Sequence, residues 1–193
     1  MLPTGNKDKI RVACVGDSIT GGTEYPSDLS RRLGPKYTVG NFGVAGTTAS
    51  LDSGGAYTDQ KAFQNALQFQ PKIVIVMLGT NDASPILCPN PNKTSFVEDY
   101  TRLVREFQAL LTKPKIYLVK PPPVFEGEMD IDSQYFRDIV LATIEQVATH
   151  ANLPIIDVYS ALANHSDFFF DGVHPNSKGA QLIADVIYKA IIA

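Results

Sequence analysis

Four short stretches of this chain carry residue types that can do chemistry together. Ser18 stands in Gly16-Asp17-Ser18-Ile19-Thr20, Gly43 and Gly46 in Asn41-Phe42-Gly43-Val44-Ala45-Gly46, Asn81 in Gly79-Thr80-Asn81-Asp82, and His174 in Asp171-Gly172-Val173-His174. An unassisted serine hydroxyl is a poor nucleophile, so a chain that uses one must supply a base and an oxyanion site elsewhere. Of the three histidines, His150 ends a helical segment and His165 sits in a polar turn, places typical of surface residues. His174 differs: it follows Asp171 by three residues in a glycine-containing turn, so the two side chains can meet locally and the carboxylate can fix the imidazole tautomer. A glycine such as Gly46 lets its backbone N–H approach a ligand closely, and an amide such as Asn81 can point into a cleft, as oxyanion donors must.

Each residue also has a plainer reading. Ser18 is a favoured helix cap, Gly43 and Gly46 suit a turn, Asn81 can bond its own backbone, and Asp82 reads as a cap or loop-fixing group. The Gly16-x-Ser18-x-Thr20 spacing is not the Gly-x-Ser-x-Gly elbow of the α/β-hydrolases. The glycines at 43 and 46 match neither a dinucleotide fingerprint nor a phosphate-binding loop.

What could bring these stretches together is an alternation of short apolar runs with amphipathic segments. Residues 10–16, Tyr37–Phe42, Ile73–Leu78, Ile116–Val119 and Pro154–Val158 are near-uniformly apolar, the pattern of strands covered on both faces. Helical spacing appears in Thr94–Thr112 (Leu103, Phe107, Leu110, Leu111), in Ser133–His150 (Ile139, Ile144, Val147) and in Ser177–Ile192 (Leu182, Ile183, Val186, Ile187, Ile191). A further helix is expected after Ser18. This alternation predicts an α/β fold, a three-layer α/β/α sandwich on a five-stranded parallel sheet with right-handed crossovers. Ligands gather at the carboxyl ends of such strands, and all four stretches follow or approach a strand end.

Composition sets the remaining bounds. The 193 residues are 44% hydrophobic and 19% charged with a net charge of -3, ordinary values that predict one globular domain over 10–193 behind a polar extension at 1–9. They give no electrostatic reason to expect nucleic acid as a partner. Cys14 and Cys88 are too few for a disulfide framework and fit no metal spacing; Cys14 reads as a buried hydrophobe, and a bond between the two is the less favoured reading. No 18-residue apolar run is present to span a membrane. Residues 1–9 lack the apolar stretch of a secretory signal, which points to the cytoplasm unless a signal was trimmed. Asn92-Lys93-Thr94 and Asn164-His165-Ser166 fit the glycosylation triplet, relevant only after secretion.

Taken in order, the four blocks Gly16-Asp17-Ser18, Asn41-x-x-x-x-Gly46, Gly79-x-Asn81-Asp82 and Asp171-x-x-His174 resemble those of the SGNH hydrolases, the GDSL-type esterases, across nearly the whole chain. The resemblance implies a flavodoxin-like sandwich and acyl transfer without metal or cofactor. It casts Ser18 as nucleophile, His174 as base and Asp171 as its orienting acid, with the Ser18 and Gly46 amides and the Asn81 side chain as oxyanion donors. Segments 41–46, 78–83, 120–125 and 157–162 look like the branch containing sialate O-acetylesterases and other carbohydrate acetylesterases, which implies an acetyl group on a small-molecule or oligosaccharide ester. No long apolar insertion is present to line a channel for a fatty acyl chain. The loop at 51–58 departs from that branch, being small and rich in Gly and Ser without the aromatic residues that would stack on a sugar. Tyr57 and Phe125 are the nearest substitutes and, with Asp17, the expected substrate contacts. The alternatives are a lysophospholipase, a thioesterase or a broad short-chain esterase, and, in another class, a non-catalytic ligand-binding domain.

Overall fold

The computed structural model describes residues 9–89, 92–127 and 129–193; the polar extension expected at 1–9 lies, apart from Lys9, outside them. Five strands, β1 (Ile10–Gly16), β2 (Tyr37–Gly43), β3 (Ile73–Met77), β4 (Lys115–Lys120) and β5 (Ile155–Asp157), form one sheet in the order β2-β1-β3-β4-β5. Every neighbouring pair is parallel. This is the doubly wound order whose topological switch point falls between β1 and β3.

The uniform apolarity of the strands reflects burial on both faces. Along β1 and β3, Ala13, Val15, Val74 and Val76 enter one core with Phe63, Leu103, Phe107, Ile144 and Val147. The residues between them, Val12, Cys14, Ile73 and Ile75, enter a second core with Leu29, Leu162, Ile183 and Ile187. Alternate side chains point to opposite faces of a strand, so neither face can be polar. The first core is closed by α3 (Lys61–Gln68), α4 (Lys93–Gln108) and α6 (Leu141–Ala151), and the second by α2 (Tyr25–Leu33), α7 (Val158–Leu162) and α8 (Ser177–Ile192). Cys14 and Cys88 are both buried and free.

Two expected helices differ in detail. α4 stops at Gln108: beyond it the Leu110 and Lys113 amides bond only three residues back, to the Phe107 and Leu110 carbonyls, Lys113 takes a positive φ of 47° ahead of Pro114, and Leu111, part of the expected helical spacing, is 96% exposed. Between α5 (Ser133–Tyr135) and α6 the chain makes a π-helical turn over Phe136–Val140. The wider turn shifts the register, so Phe136 and Val140 are buried while Ile139 is only half-buried. α8 begins and ends where its periodicity predicts, capped by the Asn176 side chain, whose Oδ1 accepts from the Lys178 and Gly179 amides. No described helix is long and apolar enough to cross a membrane.

Candidate active site

The register places the chemistry. Gly16 pairs with Gly43 on one side and with Met77 on the other, so the loops leaving β1, β2 and β3 emerge side by side at the carboxyl edge. Ser18 is the first residue of the short helix α1 (Ser18–Gly22), a position whose N–H has no intrahelical acceptor. The cap is the preceding residue, Asp17, whose Oδ1 accepts from the Ile19 amide at 2.9 Å. The hydroxyl of Ser18 is thereby left for another partner. It lies 2.9 Å from Nε2 of His174, whose Nδ1 lies 2.6 Å from Oδ2 of Asp171.

The Asp171–His174 turn is built around the same carboxylate. Its other oxygen, Oδ1, accepts from the Val173 and His174 amides at 3.0 and 2.7 Å, so one aspartate both closes the turn and orients the ring that ends it. Burial pushes the Asp171 carboxyl up, but the bonds from the His174 ring and from the two amides outweigh it and hold the group below the usual carboxylate range. The loop after β4 packs on this turn, with the Phe125 amide donating to the Gly172 carbonyl at 2.9 Å.

Across the cleft the β2 loop is fixed from several sides. Gly43 allows a close approach: a Cβ there would fall 2.1 Å from the Gly21 amide nitrogen at the end of α1. Asn41, beside it, bridges the two elements, donating to the Thr20 carbonyl at 3.0 Å and accepting from the Gly43 amide at 2.9 Å. Gly46 has φ of 75°, a conformation that costs any residue with a Cβ, and no atom stands within 4 Å of where that Cβ would be. Among the described residues nothing accepts from the Gly46 or Ser18 N–H. Asn81, 6% exposed, donates from Nδ2 to the Thr47 carbonyl at 2.9 Å and ties the β3 loop to the β2 loop. Its amide carries a second hydrogen.

Asp82 is the loop-fixing group its position suggests. Its two oxygens accept from the Ala49 and Ser50 amides at 3.0 and 2.8 Å, over a separation of more than 30 residues in sequence. Burial lifts its carboxyl to about 6, against the lowering effect of those amides. Asp17 is raised further, to about 7, chiefly by burial, with Asp82 adding repulsion and the Ile19 amide and His174 opposing. One oxygen of Asp17, Oδ2, is buried without a hydrogen-bond partner among the described residues. A neutral carboxyl suits that setting.

Two of the three expected substrate contacts are corrected by burial. Asp17 is 1% exposed and serves as the cap of α1. Tyr57 is 0% exposed, and its hydroxyl donates to the Phe42 carbonyl at 2.6 Å, so its ring is core and no sugar can stack on it. Phe125 is half-buried against Phe169, ring centroids 5.0 Å apart, next to the triad turn. His165 lies stacked on Phe168, and His150 is exposed at the end of α6. The sequence reading missed Phe170, 78% exposed immediately before Asp171. Three consecutive phenylalanines at 168–170 were its signal, since successive side chains leave the backbone in different directions and cannot all be covered from one side.

A serine hydroxyl, an imidazole and a carboxylate in line at the carboxyl edge of a doubly wound sheet, with the neighbouring loops leaving amides unpaired, define the class of the serine acyl hydrolases. The chain belongs to the GDSL-like lipase/acylhydrolase family, whose model matches residues 14–182. An acetylxylan esterase from Xylanibacter ruminicola is 32% identical over 216 aligned positions, which take in 98% of this chain and 45% of that protein. The chain thus spans about half the length of this curated relative. Among solved structures, an aryl esterase from M. smegmatis superposes with a TM-score of 0.76 at 19% identity, covering 95% of this chain and 98% of that one. A carbohydrate acetylesterase from Sinorhizobium meliloti gives 0.72 at 18% identity, covering 95% and 99%. At such identities the likeness is one of fold, and it bears out the sandwich and the five parallel strands.

Proposed function

We propose that this protein removes O-acetyl groups from a carbohydrate through an acyl-enzyme on Ser18. The observation that carries the reading is the unbroken relay from Ser18 Oγ to His174 Nε2 at 2.9 Å and from His174 Nδ1 to Asp171 at 2.6 Å. The acetylxylan esterase relative supports acetyl as the acyl group and a sugar as the alcohol. His174 takes the proton as Ser18 Oγ attacks the ester carbonyl, and Asp171 stabilises the imidazolium that forms. The carbonyl oxygen becomes an oxyanion held by the Ser18 and Gly46 amides and by the free hydrogen of Asn81, each such donor lowering the barrier by about 3–4 kcal/mol. Collapse breaks the bond to the alcohol oxygen, which leaves with the proton from His174. Water, deprotonated by the same ring, then attacks the acetyl-serine, and acetate is released as Ser18 recovers its proton.

The test is a series of 4-nitrophenyl esters of increasing acyl length, run beside acetylated xylo-oligosaccharides and O-acetylated sialic acids. The reading expects acetate from at least one of the sugar substrates and a steep fall in kcat/KM beyond propionyl. Faster cleavage of long acyl esters, with no acetate from any sugar, would overturn it in favour of a lipid-directed esterase.

A further inference from the structure

We infer that Phe170 is the platform on which the sugar ring of the leaving alcohol stacks, an inference that rests on the carbohydrate reading above. The chemistry fixes the side of the cleft. If the carbonyl oxygen faces the Ser18, Gly46 and Asn81 donors, the alcohol oxygen must face His174, which has to protonate it as the bond breaks. The alcohol therefore lies along the His174 turn, and the large exposed side chain of that turn is Phe170.

Of the three successive phenylalanines, two are occupied. Phe168 stacks under His165, centroids 4.5 Å apart, with the Lys178 ammonium 5.7 Å from its own centroid, and Phe169 packs on Phe125. Phe170 is 78% exposed. It is nonetheless held in place: its amide donates to the His174 carbonyl at 2.9 Å, and Phe169 and Pro175 pair on either side of the turn as an antiparallel bridge. A rigid backbone carrying an uncovered aromatic ring loses little entropy when a flat apolar face docks on it. The ring borders an open cavity of about 200 Å³ whose other walls are Gly22, Thr23, Glu24, Pro175 and Ser177 among its lining residues. Gly22 closes the helix that Ser18 opens, and Pro175 follows His174, so two of the cavity's walls belong to the chain segments that carry the relay, although Ser18 and His174 do not themselves line it. Glu24 and Ser177 are exposed at its rim. An aromatic wall in one cavity with carboxylate and hydroxyl groups suits a pyranose ring, which offers an apolar C–H face and a rim of hydroxyl donors; a fatty alcohol would leave the polar groups unmatched.

The test compares two substrates that share the acetyl group and differ in the alcohol, acetylated xylo-oligosaccharide and ethyl acetate. For Phe170→Ala, the ratio of kcat/KM for the sugar to that for ethyl acetate should fall roughly five- to twentyfold, carried by KM, as expected for loss of a stacking surface. Phe170→Tyr should restore most of it. The chain contains no tryptophan, so the double variant Ser18→Ala, Phe170→Trp gives a single fluorophore. Its emission should shift on titration with acetylated xylo-oligosaccharide and stay unchanged with ethyl acetate. A wild-type protein that hydrolyses ethyl acetate and no sugar acetate would defeat the carbohydrate reading itself. A wild type that cleaves both, with an unaltered ratio in Phe170→Ala and a silent fluorophore, would overturn the platform alone.

Discussion

Asn81→Ala separates the two tasks assigned to one amide. The side chain already gives one hydrogen to the Thr47 carbonyl at 2.9 Å from a site 6% exposed to solvent, and its second hydrogen is the proposed oxyanion donor. Truncation removes both. Loss of the oxyanion donor should lower kcat by about 10²–10³, which is about 3–4 kcal/mol of barrier, with little change in KM because the charge it meets develops only in the transition state. Loss of the bond to Thr47 leaves a buried carbonyl unpaired at a cost of about 1–3 kcal/mol, and at this chain length each kcal/mol lowers Tm by roughly 2–4 °C. A fall of roughly 4–8 °C is the central expectation. Steady-state acetate release from ethyl acetate and thermal unfolding by circular dichroism read the two effects on one sample. A variant that melts lower yet keeps kcat within about threefold of the parent would show that Asn81 only ties two loops together, and the oxyanion assignment would be withdrawn.

Asp171→Asn should keep the turn, since a carbonyl can still accept from the Val173 and His174 amides, but lower kcat by about 10⁴, the scale expected when the imidazole loses the group that fixes its tautomer; kinetics near the parent rate would contradict the relay. Asp82→Ala leaves the Ala49 and Ser50 amides without acceptors and should cost about 2–6 kcal/mol of stability by denaturant unfolding, and a variant as stable as its parent would refute the loop-fixing role. Stability should also fall as pH rises from about 4 to about 7, because Asp17 and Asp82 bind protons more tightly folded, with values of about 7 and about 6, than at their ordinary 3.8. Asp171 is lowered and acts in a separate window below its ordinary value, its contribution fading as pH falls. Asp17→Asn keeps the acceptor for the Ile19 amide and removes one titration, so in a pH series of urea melts its stability should gain on the parent's between about pH 4 and about pH 7; a pH-independent difference would contradict the burial argument.

What was legible in the sequence follows from how local each constraint is. A strand covered on both faces must be apolar throughout, and β1, β3 and β4 could be read almost to the residue. The Asp171–His174 pair was legible because three residues of turn suffice to bring the groups together. The limits appear where a residue's fate depends on distant neighbours. Tyr57, an expected substrate contact by its residue type, is instead claimed at both ends, by the Phe42 carbonyl and by the core beside Phe63. Asp17 was placed among the substrate contacts, whereas the short helix α1 needed it as a cap. The π-turn at Phe136–Val140 has no signature in apolar spacing, and it moved Ile139 off the core face. Phe170 was hidden in a run of three like residues whose separate environments only the folded turn distinguishes.

The central claim is that Ser18 carries the acetyl group of a sugar ester, and acetate release from acetylated xylo-oligosaccharides by the parent and by Ser18→Ala tests it most directly. The parent should release acetate with saturable kinetics, and Ser18→Ala should release none above the solvent rate while melting as a folded protein. Release by Ser18→Ala at a rate approaching the parent's would contradict the account.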